Sequence, residues 1–392
     1  MVCVLLAVHI FFCFKTKFVQ RHTLKGIRYS LFGGGRGNYA AFAQALGTTV
    51  GPGNIVGVAV AISAGGAGSV FWMWLCGILA MPTKYAESYL SLKYRDGGIG
   101  GPMVLLSRFG YKKTACVWTV LCMSAGLLMG AAVPSSSLAS FLPCPRWVSG
   151  LLLAAAVTLA ISRGVGGISR ICSLVVPVMS VGFILLCVIT LFSDTRAFFD
   201  AVSRILADAF LPRSALGGGL GLAVKSGVAR GLYSNEAGLG SGGVLAADSG
   251  DDNTVLSSLG AMTTCFWDTV VMCALTGIVF VAGGTRLGSQ PDLAVLSSFS
   301  AVPYSRVFLS LSMSFFVYAT VIGWYGVAVR AVKYTFGSYT VYSFLFVIFV
   351  VLGALSRSDA LWKSADTVNL LMLAPSLFIF VKLSDKISLH IK

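Results

Sequence analysis

Two glycine-rich stretches inside long apolar segments carry the backbone groups that could bind a ligand. The first, Thr-Thr-Val-Gly-Pro-Gly-Asn at positions 48–54, lies in the middle of residues 39–63, and about 20 apolar residues are enough to cross a bilayer as a helix. Pro52 has no N–H and its ring clashes with the carbonyl four residues earlier, so we predict that the helix breaks there. Lipid cannot satisfy the backbone groups that a break leaves unpaired, so we expect them to line a cavity or contact a ligand.

The second stretch reads Arg-Gly-Leu-Tyr-Ser-Asn-Glu-Ala-Gly-Leu-Gly-Ser-Gly-Gly at positions 230–243, about 180 residues downstream. Two glycine-interrupted spans in corresponding halves of a chain are typical of the binding site of a secondary transporter. A half-helix that begins after a break attracts a carboxylate through its free N–H groups, and one that ends at a break offers carbonyls to a sodium ion or an ammonium group. Together the two breaks fit a zwitterion such as an amino acid.

Few ionisable residues lie at membrane depth, and each is a functional hypothesis by default. Asp268 falls in the middle of an apolar segment; it could accept the ammonium of a ligand or help to hold a cation, or it could be satisfied by backbone donors of a broken helix. Glu236 lies inside the second break. It could bind a ligand, or it could cap a helix or pair with Arg230 and brace the break.

For the other polar residues in apolar segments, a structural role is the simpler interpretation. Lys84 and Glu87 are three residues apart and could pair on one helical face, and Asp366 opens the last apolar segment, where a carboxylate suits the helix dipole. Thr320 lies in mid-segment. Its hydroxyl could bind sodium, or it could bond a carbonyl of its own helix.

The composition is that of an integral membrane protein. Of the 392 residues, 56% are hydrophobic and 11% are charged, and the mean hydropathy is +0.86, whereas a soluble protein carries about 25% charged residues. The net charge of +15 does not indicate nucleic-acid binding, because the basic residues cluster in short loops between apolar segments, as the positive-inside rule predicts.

The sequence lacks the usual patterns of enzymes, metal sites and cofactor sites. The ten cysteines are scattered without a CxxC pair, the three histidines lie near the chain ends, and the GxSxG, HExxH and P-loop patterns do not occur. We therefore predict no enzymatic activity and no cofactor, with sodium only as a coupling ion. An intramembrane hydrolase using Ser241 is a rival hypothesis that the lack of a core histidine disfavours.

The apolar segments predict an all-α protein of about eleven spans. The segment near residues 2–14 is short, and the loop at 193–216 could form a surface helix. The predicted spans are residues 2–14, 39–63, 70–92, 114–133, 147–161, 171–192, 217–247, 256–282, 307–329, 339–355 and 365–382.

Spans 2–6 and 7–11 each begin with a broken helix and contain five helices, which indicates an inverted repeat with span 1 left over. We divide the chain into a short N-terminal helix with a basic cytoplasmic loop (1–38), a first repeat (39–192), a connecting loop (193–216) and a second repeat with the C-terminal tail (217–392). About 18 Lys and Arg residues lie on the side of the C-terminus and about 7 on the other. This bias places the C-terminus in the cytoplasm and the N-terminus outside.

Long motifs in both breaks closely resemble the alanine/glycine:cation symporter family. They are Gly-Pro-Gly-Asn-Ile-Val-Gly-Val-Ala at 51–59, Gly-Gly-Ala-Gly-Ser-Val-Phe-Trp-Met-Trp at 65–74, the stretch at 230–241, and Asp268-Thr269. The resemblance covers nearly the whole chain. It implies a leucine-transporter-type fold of five plus five helices and the sodium-coupled uptake of alanine or glycine across the bacterial cytoplasmic membrane, with a proton as the alternative coupling ion.

The resemblance also implies a set of site residues. The cation would lie between the carbonyls of Thr49, Val50 and Gly51 and the hydroxyl of Thr320. The substrate-binding residues would be Gly51, Gly53, Asn54, Ser234, Asn235, Asp268 and Thr269.

The chain departs from the family pattern at one place near the expected substrate. Residues 131–136 read Ala-Ala-Val-Pro-Ser-Ser, where the family usually has Asn-Met-Val-Gln-Ala-Asn, so a polar amide is missing. Two alternatives therefore stay open: a non-transporting amino-acid sensor on the same fold, and a symporter for another small solute such as serine.

Overall fold

The computed structural model describes residues 2–210, 219–284, 291–356 and 359–388, and the regular structure of these residues is helical. We number the α-helices in chain order. The first group is α1 (Val2–Lys15), α2 (Thr23–Arg28), α3 (Gly35–Thr49), α4 (Val56–Gly65), α5 (Ser69–Lys93), α6 (Pro102–Arg108), α7 (Lys112–Ala125), α8 (Val133–Phe141), α9 (Arg146–Ser162) and α10 (Gly164–Phe192). The second group is α11 (Thr195–Phe210), α12 (Gly219–Asn235), α13 (Ser241–Ala247), α14 (Thr254–Cys265), α15 (Ala274–Ala282), α16 (Pro291–Ser298), α17 (Ser305–Phe336), α18 (Thr340–Leu355) and α19 (Asp359–Lys382).

All eleven predicted spans fall on these helices, apart from residues 217 and 218, which lie outside the described residues. Length and hydropathy alone identify five of the spans, and up to seven when each bent pair of helices counts as one. The remaining spans are shorter or carry more polar residues. The five are Lys112–Phe141, Gly164–Phe192, Thr254–Ala282, Ser305–Phe336 and Ala360–Lys382.

Both predicted helix breaks are present. Helix α3 ends at Thr49, the backbone of Val50 and Gly51 is extended, and a short 3-10 turn at Pro52–Asn54 leads into α4. The two parts are bent by 54°. In the second break, α12 ends at Asn235 and α13 begins at Ser241, so each span has two half-helix ends in its interior.

Two further spans are continuous but locally widened. Helices α7 and α8 are joined by a π-helical stretch at Gly126–Ala132, and α14 and α15 by one at Phe266–Cys273. The second stretch contains Asp268 and Thr269. A π-bulge breaks the regular side-chain spacing of a helix and is frequent at functional sites.

The basic loop predicted within residues 1–38 is largely helical, which the sequence did not indicate. A 3-10 turn at Val19–His22, α2 and a π-turn at Tyr29–Gly33 follow one another. The reason is packing that the basic composition concealed: Gly26 lies so close to α14 that a Cβ there would come within 2.5 Å of the Leu259 carbonyl oxygen. The surface helix expected near 193–216 is found as α11, and residues 211–216 lie outside the described residues.

Polar contacts group the loops on two faces, in agreement with the predicted number of crossings. On one face, Arg95 pairs with Asp252 at 3.2 Å, and Lys15 pairs with Asp385 near the C-terminus. On the other face, Arg146 donates to the carbonyls of Ala354 and Ser356. If the predicted number of spans between two paired residues were wrong by one, the two residues would lie on opposite faces and could not pair.

Candidate functional site

Asn54 closes the first break and connects it to the second half of the chain. Its side-chain oxygen accepts the Gly51 N–H at 2.8 Å, which satisfies one of the donors that the break exposes. Its amide nitrogen donates to the Asp268 carboxylate at 2.7 Å and to the Asp268 carbonyl at 3.0 Å. A single short side chain therefore fixes the turn after Gly51 and holds it against the π-helical stretch.

The Asp268 carboxylate collects donors from three segments. Besides Asn54, it accepts the hydroxyls of Ser234 at 2.8 Å and Thr269 at 2.7 Å. Asp268 is fully buried, and hydrogen bonds to a charged group stabilise by about 1.5–3 kcal/mol each. Side-chain donors from both breaks thus satisfy it, rather than the backbone donors considered as the simpler interpretation.

Glu236 lies at the centre of the second break in a left-handed backbone conformation, with φ at 52°. For a residue other than glycine this conformation costs about 1–2 kcal/mol. Two bonds hold the buried carboxylate: Trp324 Nε1 donates at 2.9 Å and the Ser241 hydroxyl at 2.8 Å. Arg230, the alternative partner predicted for Glu236, pairs with Asp366 instead, at 3.8 Å.

A buried ion pair supports the second break from α5. Lys84 and Glu87 pair at 3.3 Å and both are at most 1% exposed, as their spacing of three residues predicts. Glu87 also accepts the N–H groups of Gly238 and Gly240 at 2.8 and 3.2 Å. This carboxylate therefore replaces the helix hydrogen bonds that the break removes, which is the structural role expected for the pair.

The hydroxyl of Thr320 on α17 lies at the carboxyl end of α3. It donates to the carbonyls of Gly47 at 3.1 Å and Val50 at 3.3 Å. The last carbonyls of a helix have no partner within it, and oxygen donors of this kind suit a hard cation. Thr320, Val50 and the backbone of Gly51 thus lie together, and a Cβ on Gly51 would come within 2.6 Å of the Thr320 hydroxyl.

One oxygen of this cluster is absent from the sequence-based set. The carbonyl of Gly47 was missed, although the spacing of three residues from Val50 across the last turn of α3 could have indicated it. The Thr49 hydroxyl, which was not a predicted ligand, bonds the carbonyl of Leu46 at 3.1 Å within its own helix.

The two breaks face each other across a small central cavity. Its volume is about 20 Å³, which is room for about one water. An amino acid does not fit in this closed state. The lining includes Thr49, Gly51, Gly53, Ser234, Glu236 and Thr320.

The predicted substrate residues divide into two layers. Gly51, Gly53 and Ser234 line the cavity, whereas Asp268 and Asn54 lie behind it and hold Ser234 and the first break in place. Two further predicted residues also lie outside the lining. Thr269 bonds Asp268, and the side-chain oxygen of Asn235 accepts the N–H of Ala237 at 3.0 Å.

Five residues of the cavity wall were absent from the predicted site residues. They are Thr48, Pro52, Met129, Pro134 and Tyr233. Pro134 belongs to the departure from the family pattern at residues 131–136, and Met129 lies two residues before it. The segment in which the family pattern changes is therefore part of the cavity wall. The departure at residues 131–136 was visible in the sequence. The contact of Met129 and Pro134 with the cavity was not, because a π-helical stretch joins α7 and α8 at this point.

Comparisons with known proteins agree on one family. The sodium:alanine symporter family matches residues 1–392. The sodium/alanine symporter AgcS of Methanococcus maripaludis is 33% identical over 414 residues, covering 98% of this chain and 91% of the relative. An uncharacterized transporter of Haemophilus influenzae is 33% identical over 375 residues, covering 89% and 82%.

The fold agrees with a solved structure. The crystal structure of MhsT in complex with L-phenylalanine matches with a TM-score of 0.66 at 16% identity and covers 88% of each chain. This likeness confirms the leucine-transporter-type fold that the family resemblance implied. The chain belongs to the sodium:alanine symporter family and is a multi-pass, sodium-coupled amino-acid transporter rather than an enzyme.

Proposed function

We propose that this transporter imports a small neutral amino acid, alanine or glycine, together with sodium by alternating access. The observation that carries the proposal is the meeting of two interrupted helices around the central cavity, whose lining includes Gly51, Gly53 and Glu236. The name of the relative AgcS, a sodium/alanine symporter, supports alanine as the substrate. Glycines in the lining let a small ligand approach the backbone closely.

In the proposed binding mode, the two ends of the zwitterion meet opposite charges. The substrate carboxylate is proposed to lie at Gly53, near the start of the half-helix α4, because the amino end of a helix attracts an anion. The ammonium lies near Ser234 and Glu236. Asp268, Asn54, Asn235 and Thr269 act as positioning residues behind this layer, because their side chains bond the lining or the turn rather than enter the cavity.

Sodium is proposed to bind beside the substrate as the coupling ion, with no other cofactor. The carbonyls of Gly47 and Val50 and the Thr320 hydroxyl are oxygens that already converge, and the Thr49 and Gly51 backbones adjoin them. Sodium entry along a membrane potential of 100 mV supplies about 2.3 kcal/mol per charge. Because the ion bridges α3 and α17, its binding favours one arrangement of these helices, which is what coupling requires.

The transporter is proposed to reside in the bacterial cytoplasmic membrane with its N-terminus outside and its C-terminus in the cytoplasm. The basic loops support this orientation. The face on which Arg95 meets Asp252 and Lys15 meets Asp385 is then cytoplasmic.

Uptake into proteoliposomes tests the proposal. With an inward sodium gradient, labelled L-alanine or glycine should accumulate above its equilibrium level, and a potassium gradient of the same size should give no accumulation. A panel of unlabelled amino acids, including L-serine, then ranks the substrates by competition. Absence of sodium-driven uptake for every small amino acid would contradict the proposal. Equal uptake driven by a proton gradient alone would identify the proton, instead of sodium, as the coupling ion.

A non-transporting sensor on the same fold is the second candidate. The feature that favours it is the altered wall at Met129 and Pro134, where the family's amide is missing. A sensor would bind alanine in the presence of sodium but would give no flux in the proteoliposomes, so binding and uptake measured on one preparation separate the two functions.

A further inference from the structure

Two apolar grooves run along the exposed side of α19 and share one residue. The α1 groove, between α19 and α1, measures about 470 Å³, and the α7 groove, between α19 and α7, about 650 Å³. Phe378 lines both and is 45% exposed, so its ring forms the ridge between them. The walls include Leu5, Val8 and Leu377 in the α1 groove and Val117, Leu121 and Pro375 in the α7 groove.

Each groove has about the length of one bilayer leaflet. On α19, the α1 groove extends from Leu370 to Lys382, which is about 18 Å at the rise of a helix. The α7 groove extends from Tyr111, just before α7, to Leu121, which is about 15 Å. Because half of the hydrocarbon core of a bilayer is also about 15 Å thick, each groove can hold one acyl chain of a single leaflet.

An ammonium group and a phenol lie together where the two grooves end. Lys382 lines the end of the α1 groove and Tyr111 the end of the α7 groove. The Lys382 ammonium donates to the Tyr111 hydroxyl and lies 4.6 Å from the centre of the Tyr111 ring. That ring meets the Phe378 ring edge to face, with centres 5.2 Å apart. These contacts fix the ammonium at the end of the ridge that separates the grooves.

The charge at this end of α19 favours an anion. Lys382 has no ion pair among the described residues, and the acidic residue that follows it, Asp385, pairs with another lysine. Lys112 and Lys113 begin α7 directly after Tyr111 and are exposed. An ammonium group has three donors, so Lys382 can bind an anionic oxygen while it keeps its bond to the phenol.

We propose that the two grooves bind one diacyl phospholipid with an anionic headgroup, from the leaflet on the face where Lys15 meets Asp385. One acyl chain lies in the α1 groove and the other in the α7 groove, with Phe378 between them. The phosphate accepts from Lys382 and from the Tyr111 hydroxyl, and lysines next to a membrane surface attract anionic lipids. In a zwitterionic lipid, the cationic end of the headgroup competes with these lysines for the phosphate.

The α1 groove also adjoins the second break. A Cβ on Gly238 would come within 2.8 Å of the Leu377 side chain, which lines the groove. On the same helix, the Ser376 hydroxyl donates to the Leu239 carbonyl at 2.8 Å. Helix α19 therefore supports the backbone between α12 and α13, and an acyl chain packed against Leu377 favours the arrangement of the break seen in this structure.

Native mass spectrometry of the purified full-length chain, titrated with dioleoylphosphatidylglycerol, tests the proposal. The wild type should bind one molecule at least tenfold more tightly than it binds dioleoylphosphatidylcholine. Lys382→Gln should weaken the binding of the anionic lipid at least tenfold, and Lys382→Arg, which keeps the charge, should restore it. Lys363→Gln is the matched control, because it removes the same charge from an exposed position near the other end of α19, and its affinity should equal that of the wild type.

Two further probes test the acyl-chain sites and the source of the phosphate. Lysophosphatidylglycerol has one chain and fills one groove, so it should bind at least tenfold more weakly than the diacyl lipid. Ala374→Trp places a large side chain in the α1 groove and should weaken the diacyl lipid to the same extent. Soluble glycerol phosphate in large excess should not displace the lipid.

Three results would overturn the proposal. Equal affinity for the anionic and the zwitterionic lipid would reduce the grooves to a surface for any surrounding lipid. Equal affinity of the wild type, Lys382→Gln and Lys363→Gln for the anionic lipid would remove Lys382 as the headgroup contact. Displacement of the lipid by glycerol phosphate would assign the site to a soluble phosphoester. These measurements use neither alanine nor sodium, so their failure would leave the proposed function intact.

Discussion

Asp268 and Thr320 each connect separate elements through one side chain, but they do so differently. Asp268 is saturated by Asn54, Ser234 and Thr269, so it holds the two breaks together. Among the described residues, the hydroxyl of Thr320 donates to carbonyls at the end of α3, and a hydroxyl that donates to a carbonyl keeps lone pairs free for a cation. This difference supports the proposed roles of Asp268 as a positioning residue and of Thr320 as an ion ligand.

Thr320→Val should raise the sodium concentration for half-maximal alanine uptake at least tenfold. Valine keeps the size of threonine but removes the oxygen, and a tenfold change corresponds to about 1.4 kcal/mol. Sodium-dependent uptake in proteoliposomes measures the effect.

Thr190→Val is the control for that substitution. Thr190 is also buried, but its hydroxyl bonds the Leu186 carbonyl of its own helix, α10, so its sodium dependence should equal that of the wild type. An unchanged sodium dependence in Thr320→Val would remove Thr320 from the proposed ion site.

In the break between α3 and α4, the absence of a side chain at Gly51 allows a close contact with a facing helix. Gly51 is extended, with φ at −153°, a conformation that any residue adopts, so strain does not explain the glycine. The space explains it: a Cβ there would stand 2.6 Å from the Thr320 hydroxyl. The break and the facing helix α17 are thus in contact only because this position has no side chain.

Gly51→Ala should reduce sodium-dependent uptake at least tenfold, because the added methyl group pushes the Thr320 hydroxyl away from the Val50 carbonyl. Gly57→Ala on α4 is the matched control. A Cβ at Gly57 has no neighbour within 4 Å among the described residues, so its uptake should stay at the wild-type level. Equal uptake by both variants would contradict the close approach.

The whole molecule has two chemically different faces, and the proposed orientation assigns them to the two sides of the membrane. Asp252 and Tyr304 mark these faces. The Asp252 side chain is fully exposed and its pair with Arg95 lies at the surface, where such pairs contribute about 0–1 kcal/mol. Tyr304 precedes α17 and is 80% exposed.

Asp252→Cys should react with a membrane-impermeant maleimide in inside-out vesicles but not in intact cells, and Tyr304→Cys should show the reverse. Both substitutions belong in a background in which the exposed Cys3 is replaced. Labelling of Asp252→Cys in intact cells would invert the proposed orientation without affecting the fold.

Much of the architecture could be predicted from the sequence because it follows from local physics. Hydropathy located the spans, Pro52 and the neighbouring glycines located the first break, and the spacing of Lys84 and Glu87 predicted their pair. The helix at 19–33 was missed, because its basic residues read as a loop while its stability comes from contact with α14, which is distant in the chain.

The composition of the site was determined by the sequence, whereas its layering was decided by the tertiary structure. Motifs selected Gly53, Ser234 and Asp268 together, but only the folded chain places the first two in the cavity wall and the third behind it. The two grooves beside α19 had no sequence signal, since Tyr111 and Lys382 are 271 positions apart and meet only through packing. Local sequence fixes where a helix must break, while the distance between two breaks depends on every helix that packs around them.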